Sequence, residues 1–382
     1  MPASAFKQVE QAIEKGNPSK SFDILVKKFK REKNYPGVFE ARLMKKRIDL
    51  GLPAIQTDVI GELSPEARVA YEAEQITAAR EVGELFLADG DIYRAWPYFR
   101  AIGDRAPVRT ALDEYASPSG EEDGIDGIVE IAFHEQVNPR RGFELILEHY
   151  GTCRAITNFS HYPSDDGREE SGRLLVDQLT SELRDSLKRT IEQHEGAATE
   201  TDSISQLVAG RDWLFEGNNY YIDTSHVSSV VQMSINWNDP ETLRLVLELT
   251  DYGRRLGEMY QFKGEPPLED VYEDSAVYLK ALLGEEIDEA VAHFTGKLSS
   301  EPDPYGNPAA QAVVRFLVRL ERYDAAIEVA LQHLKDVPPS QLQCPSVIQL
   351  CQLAGDFSRL TELAREQGDL LGYTAGAIQR AS

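Results

Sequence analysis

Five of the seven histidines, His134, His149, His161, His194 and His226, fall between residues 134 and 226, and imidazole is a common ligand of divalent metals near neutral pH. His134 closes one expected helix and His149 lies in the next, across the "NPRR" connection. Their distances from that turn differ by about four residues, so the two rings would stand about one helical turn, roughly 5 Å, apart along the axis. Asp223 and His226 in "IDTSHVSS" are three residues apart. On a helix starting at Asp223 or Thr224 they share a face and could chelate one cation. His134, His149, Asp223 and His226 are therefore the candidate metal ligands, with Glu135, Glu148 and His161 available to complete the shell. The cofactor in that reading is one divalent ion such as Zn or Mn, and an open coordination position would support hydrolysis or isomerisation. The simpler reading needs no cofactor: Asp223 followed by Thr-Ser is an ordinary helix start, its carboxylate capping backbone N–H groups.

A nucleophile would come from Cys153 with His149, four residues apart and so neighbours on a helix, where an imidazolium lowers a thiol pKa. The surrounding "LILEHYGTCRAIT" is strongly apolar, which favours packing instead. Cys344 and Cys351, seven apart, would share one helical face as buried apolar filler. No GxSxG elbow, phosphate-binding glycine loop, HExxH or CxxC is present. His134–Glu135 lacks the second histidine of HExxH.

These residues must be positioned by helices, and the helices repeat. In "AAQAVVRFLVRLERYDAAIEVALQHLKDVP" a helical period runs through Val313, Phe316, Leu317 and Leu320, breaks before Tyr323, resumes at Ala326, Ile327, Ala330 and Leu334, and stops at Pro338. A shift of 34 residues brings Phe357 onto Tyr323, Leu360 onto Ala326 and Ala364 onto Ala330. In the other direction Ile287, Ala290 and Phe294 match, given a two-residue insertion in the "EPDPYGNP" loop. A further unit is "AAREVGELFLADGDIYRAWPYFRAIGDRAP". Gly83 and Ala95 are small where two helices would cross closely, Phe86 and Phe99 fill the space beside the crossing, and Pro107 ends the second helix.

At these spacings the segment resembles the tetratricopeptide signature, and looser units near Ser19 and after Pro107 extend the likeness to residues 19–139 and 268–368. The resemblance implies an all-α fold, an α-α superhelix of antiparallel helix pairs with an irregular central section. Three segments are expected: helix pairs over 1–139, a longer-helix centre over 140–265, and helix pairs over 266–382. In the centre, "WLFEGNNYYI" has the aromatic density and Gly-Asn-Asn turn of a short hairpin. Tyrosines at helical spacing, such as Tyr278 and Tyr323, read as inter-helix packing.

With 42% hydrophobic and 27% charged residues the chain has the composition of a folded protein. A formal charge of -24 repels a phosphate backbone, so nucleic acid is excluded as a partner. Residues 1–60 are the exception, with 12 Lys/Arg against 7 Asp/Glu. No segment has the roughly 18 apolar residues of a membrane span. The N-terminus "MPASAFKQVEQAIEK" lacks a secretory apolar core, and the three cysteines cannot form a disulfide framework. A cytoplasmic protein without a membrane partner is expected.

The function expected of such an array is a protein–protein interaction scaffold that takes a peptide or partner helix on the concave face. Thr77, Arg80 and Glu84, and Arg315 and Arg319 at the like position further on, would line that face. A cationic peptide suits the acidic body. The alternative is a helical enzyme, a metal-dependent hydrolase or isomerase, or a small-ligand-binding regulator, built on the His/Asp pocket of the centre.

Overall fold

Many helices of this chain start with Asn, Asp or Ser followed at once, or one residue later, by Pro. The side chain caps free N–H groups while proline supplies a preset φ where no N–H bond is needed. The computed structural model bears this out at Asn17, Asn34, Ser64, Asp239 and Asn307, whose side chains accept from the backbone N–H three residues on at 2.9–3.2 Å. The structure describes residues 2–55, 64–116, 124–197, 199–299 and 305–381. Part of the "EPDPYGNP" loop lies outside them.

Two compact units divide the chain, Met1–Tyr150 with His161–Arg168, and Gly151–Ser160 with Glu169–Ser382. The first holds α1 (Pro2–Glu14), α2 (Pro18–Arg31), α3 (Tyr35–Asp49), α4 (Pro65–Ala88), α5 (Ile92–Ala101), α6 (Ala106–Asp113) and α7 (Ile125–Val129), followed by a π-helical turn over Glu130–His134. α8 (Pro139–Ser160) is interrupted at Gly151, whose φ of 76° and ψ of 178° are not helical. The second unit continues with α9 (Arg168–Glu195), α10 (Ile204–Val208), α11 (Thr224–Ser234), α12 (Pro240–Gly253), α13 (Val271–Leu282) and α14 (Ile287–Gly296). It ends with α15 (Pro308–Arg319), α16 (Tyr323–His333), α17 (Val347–Ala354), α18 (Phe357–Glu366) and α19 (Leu370–Ala381).

The chain is all-α. Among the described residues the only β-type pairing is an isolated bridge between Lys263 and Asp270. Within each unit consecutive helices pack on one another, the neighbour order of an α-α superhelix. One turn recurs. At Lys33, Gly90, Gly284, Glu321 and Gly355 the backbone has positive φ. The next residue's N–H then donates five residues back, for example Asp91 to Phe86, Arg322 to Leu317 and Asp356 to Cys351, at 2.9–3.0 Å. This Schellman closure satisfies carbonyls at the end of one helix and releases the chain to begin the next. Glu321 and Gly355 stand 34 residues apart, and Tyr323 and Phe357, at the same offset, each open the second helix of a pair.

The core of the C-terminal helices is aromatic. The Tyr278 and Phe316 rings lie 4.3 Å apart by centroid, with Phe294 edge-on to both. α9 is buried along Leu175, Leu179, Leu183 and Leu187, one residue per turn. The hairpin expected at "WLFEGNNYYI" does not form: residues Asp212–Asn218 make a 3₁₀ turn. Its aromatics meet other elements instead of pairing across strands: Trp213 stacks on His194 of α9, and others reach α12. The Tyr221 N–H donates to the Tyr252 hydroxyl at 2.9 Å, and Phe215 packs beside the Tyr252 ring.

Candidate functional site

The sequence-derived metal ligands are divided between the units. His134, exposed at the end of the π-helical turn, and His149, exposed on α8, belong to the first; Asp223 and His226 belong to the second. Asp223 caps α11, its Oδ1 accepting from the Ser225 N–H at 2.9 Å and the Ser225 hydroxyl at 2.6 Å. Those bonds hold its carboxyl below the ordinary range. Among the described residues no group of three or more His, Cys, Asp and Glu side chains is placed to hold a metal ion.

The cysteine expectations fare differently. Non-helical Gly151 lies between His149 and Cys153, so the four-residue spacing no longer places them on one continuous helix. Cys344 precedes α17 whereas Cys351 lies in it, so the two do not share a helical face. Cys351 is nonetheless buried, and burial pushes both thiols up.

Thr77, Arg80 and Glu84 are exposed on α4. Thr77 bonds the Ala73 carbonyl at 2.8 Å within the helix, and Arg80 is ion-paired with Asp104. A hollow of about 370 Å³ beside α3 and α4 is walled by charges that largely cancel. Arg42 bridges Glu74 and Glu81 there, and Lys45 meets Asp23 at 2.7 Å.

Arg315 and Arg319 converge with apolar walls. Four residues apart on α15, they share one face and line a cavity of about 280 Å³ whose walls include Ile235, Leu268, Tyr278, Phe294, Val313 and Phe316. Arg319 is half-buried and fully engaged. It donates to the carbonyls of Ile235 and Trp237, to Asn238 Oδ1 at 3.0 Å, and to the Tyr278 hydroxyl at 3.4 Å. It therefore fastens the α11–α12 connection onto α15. Arg315 is exposed and makes one bond, to the Gln343 carbonyl at 3.3 Å. Neither guanidinium faces a carboxylate within ion-pair distance among the described residues. Compared with known proteins, the chain matches no family model, no curated protein and no solved structure. The case for function therefore rests on this geometry.

Two supports of the cavity were not foreseen from sequence. Pro267, one of its lining residues, offers its carbonyl to Lys297 Nζ at 3.3 Å. That ammonium is held by both oxygens of buried Asp274 at 2.6 Å. Gln311, also buried, donates to the carbonyls of Gly306 at 2.7 Å and Gln341 at 3.2 Å, tying down the loop that ends at lining residue Pro345. His293 and Lys297 are four apart and legible as helix neighbours, but Asp274 meets them only because α13 and α14 pack.

Replacing Arg319 with Ala removes a charged donor set whose bonds contribute about 1.5–3 kcal/mol each in other proteins, partly recovered here by water. We expect a loss of about 2 kcal/mol, read from the urea midpoint of unfolding. Arg319→Lys should recover little of it, because one ammonium cannot replace the planar fork that spans four acceptor residues. A loss below about 0.5 kcal/mol would show that the guanidinium holds nothing.

Proposed function

We propose that this chain is a helical interaction scaffold that holds a peptide segment of a partner protein, with the α15 cavity as its anchoring point. The observation that carries this reading is the combination of a largely apolar hollow and, at its edge, an exposed Arg315 with no ion pair among the described residues. An apolar hollow with a guanidinium at its rim is the arrangement in which an interface takes an anchoring side chain and a charged neighbour. The tetratricopeptide-like character of the array belongs to the same proposal: helix pairs joined by the recurrent turn present the first helix of a pair, here α15, to a ligand. No helix among the described residues is long and apolar enough to cross a membrane. A cytoplasmic location agrees with that.

Selection of a random-heptapeptide display pool on the immobilised full chain tests the reading. Enriched peptides should lose at least tenfold in affinity against Ala312→Trp, which introduces an indole at the cavity lining on α15. A pool that never enriches, or enriched peptides indifferent to that variant while its circular dichroism is unchanged, would count against the scaffold reading.

A further inference from the structure

We infer that the anchoring element of the partner is a large apolar side chain immediately beside a carboxylate, so that this acidic protein recognises an acidic, not a basic, motif. The inference rests on the scaffold reading and specifies its ligand.

Size is the first argument. About 280 Å³ lies at the lower edge of the ~300–1,000 Å³ of sites that enclose a whole drug-sized ligand. It suits one aromatic or branched side chain entering from a longer segment. Wall chemistry is the second. Ile235, Leu268, Val313 and Phe316 offer no polar group; the uncharged polar exceptions on the lining are Asn236 and the Tyr278 hydroxyl, which accepts from Arg319. An apolar group fits most of this wall, where a polar one would lose most of its water without replacement.

Charge is the third. The body carries -24, yet both charged residues lining this cavity are arginines. Arg319 spends its donors on Ile235, Trp237, Asn238 and Tyr278, so its role is to shape the wall and add positive potential. Arg315 uses one donor of five on a carbonyl at 3.3 Å. The free edge of its guanidinium matches a carboxylate and repels an ammonium. Long-range repulsion between an acidic segment and the acidic body does not cancel this preference. Charges more than about 8 Å apart are largely screened at physiological salt, whereas a guanidinium–carboxylate contact near 3 Å is not.

Fluorescence anisotropy with three labelled hexapeptides, differing only in a central Phe-Glu, Phe-Lys or Ala-Glu pair, decides the matter on the full chain. The Phe-Glu peptide should bind at least tenfold more tightly than either of the others. Arg315→Glu should abolish that preference and favour Phe-Lys; Arg315→Gln, which keeps an amide and removes the charge, should level the two. Equal binding of Phe-Glu and Phe-Lys by the unaltered protein, or a preference that survives both variants with the melting curve unchanged, overturns the inference. So does 3-phenylpropionate binding as tightly as the Phe-Glu peptide, because the site would then serve a free acid. The outcomes stay separable from the scaffold reading. Display peptides that enrich and are blocked by Ala312→Trp, but carry no acidic residue, retain the scaffold and remove only this motif.

Discussion

Asp274→Ala should lower the stability of the second unit by about 3–5 kcal/mol, the range for removing one partner from a buried ion pair. Asp274 has only 2% of its side chain exposed and accepts four hydrogen bonds from three groups: Lys297 Nζ on both oxygens at 2.6 Å, His293 Nε2 at 2.8 Å and the N–H of Asp270, the cap of its own helix, at 2.8 Å. Deleting it leaves the Lys297 ammonium with Glu269 at 3.1 Å and the Pro267 carbonyl, and leaves the Asp270 N–H without its acceptor. Urea unfolding monitored at Trp237 checks the size, and a loss under about 1 kcal/mol would mean that water replaces the carboxylate without cost. Asp274→Leu combined with Lys297→Met should be milder than Asp274→Ala alone, because the half-buried ammonium is then removed together with its main partner.

The same network fixes a pH window. Asp274 is held below the ordinary carboxylate range by Lys297 and His293, against the opposing effect of burial, so its contribution is present above about pH 4 and fades as pH falls further. Lys297 is raised by Asp274 and Glu269, again against burial, so its contribution is complete below about pH 10 and fades as pH rises beyond. With His293, the imidazole of the same network, replaced by Gln in both chains, the stability difference between chains with and without Asp274→Ala should therefore be flat between those limits. A difference that collapsed near pH 7 would assign the effect to another group.

Gly83→Leu should cost about 3 kcal/mol or more in the first unit, at the upper end of overpacking penalties. Glycine within a helix costs about 1 kcal/mol relative to alanine, so propensity by itself favours replacing it. Packing opposes that gain. A Cβ on Gly83 would come within 2.5 Å of Phe99 Cε2, and Phe99 is fully buried, so its ring has no solvent to swing into. Even Gly83→Ala should therefore destabilise, by about 1–2 kcal/mol. Phe99→Leu placed behind it should return part of the loss, with a coupling above about 1 kcal/mol in a double-mutant cycle. Fluorescence of buried Trp96, on the same helix as Phe99, reports the transition. Additive losses would show that α4 and α5 simply move apart.

Gly83 illustrates what was legible in the sequence. A glycine in a helical pattern, set against Phe99 across a tight "DGD" turn, announces a close crossing, and the crossing exists. The turns were legible for the same reason: Gly90 and Gly355 adopt positive φ, and Asp91 and Asp356 cap the next helix. Asp223 was legible as a cap because the donors it accepts from lie two residues away. Helix period, caps and turns are interactions among neighbours in the chain, and neighbours are what a sequence lists. "WLFEGNNYYI" escaped because its aromatic residues find partners on other elements, α9 and α12 among them, so its local pattern named no partner.

The cavity belongs wholly to the second kind. Arg315 and Arg319 were singled out as an exposed pair on one helix face, and nothing in their spacing separates the one that is half-buried against residues 235–238 from the one left at the surface. That distinction follows from the rotation of α15 about its axis and its register against the α11–α12 connection, more than eighty residues earlier in the chain. The sequence determined the helices, their turns and the small residue that lets two of them cross. Only the packing of those helices decided which polar groups meet, because a pairing across helices depends on the summed fit of many side chains rather than on any two positions in the chain.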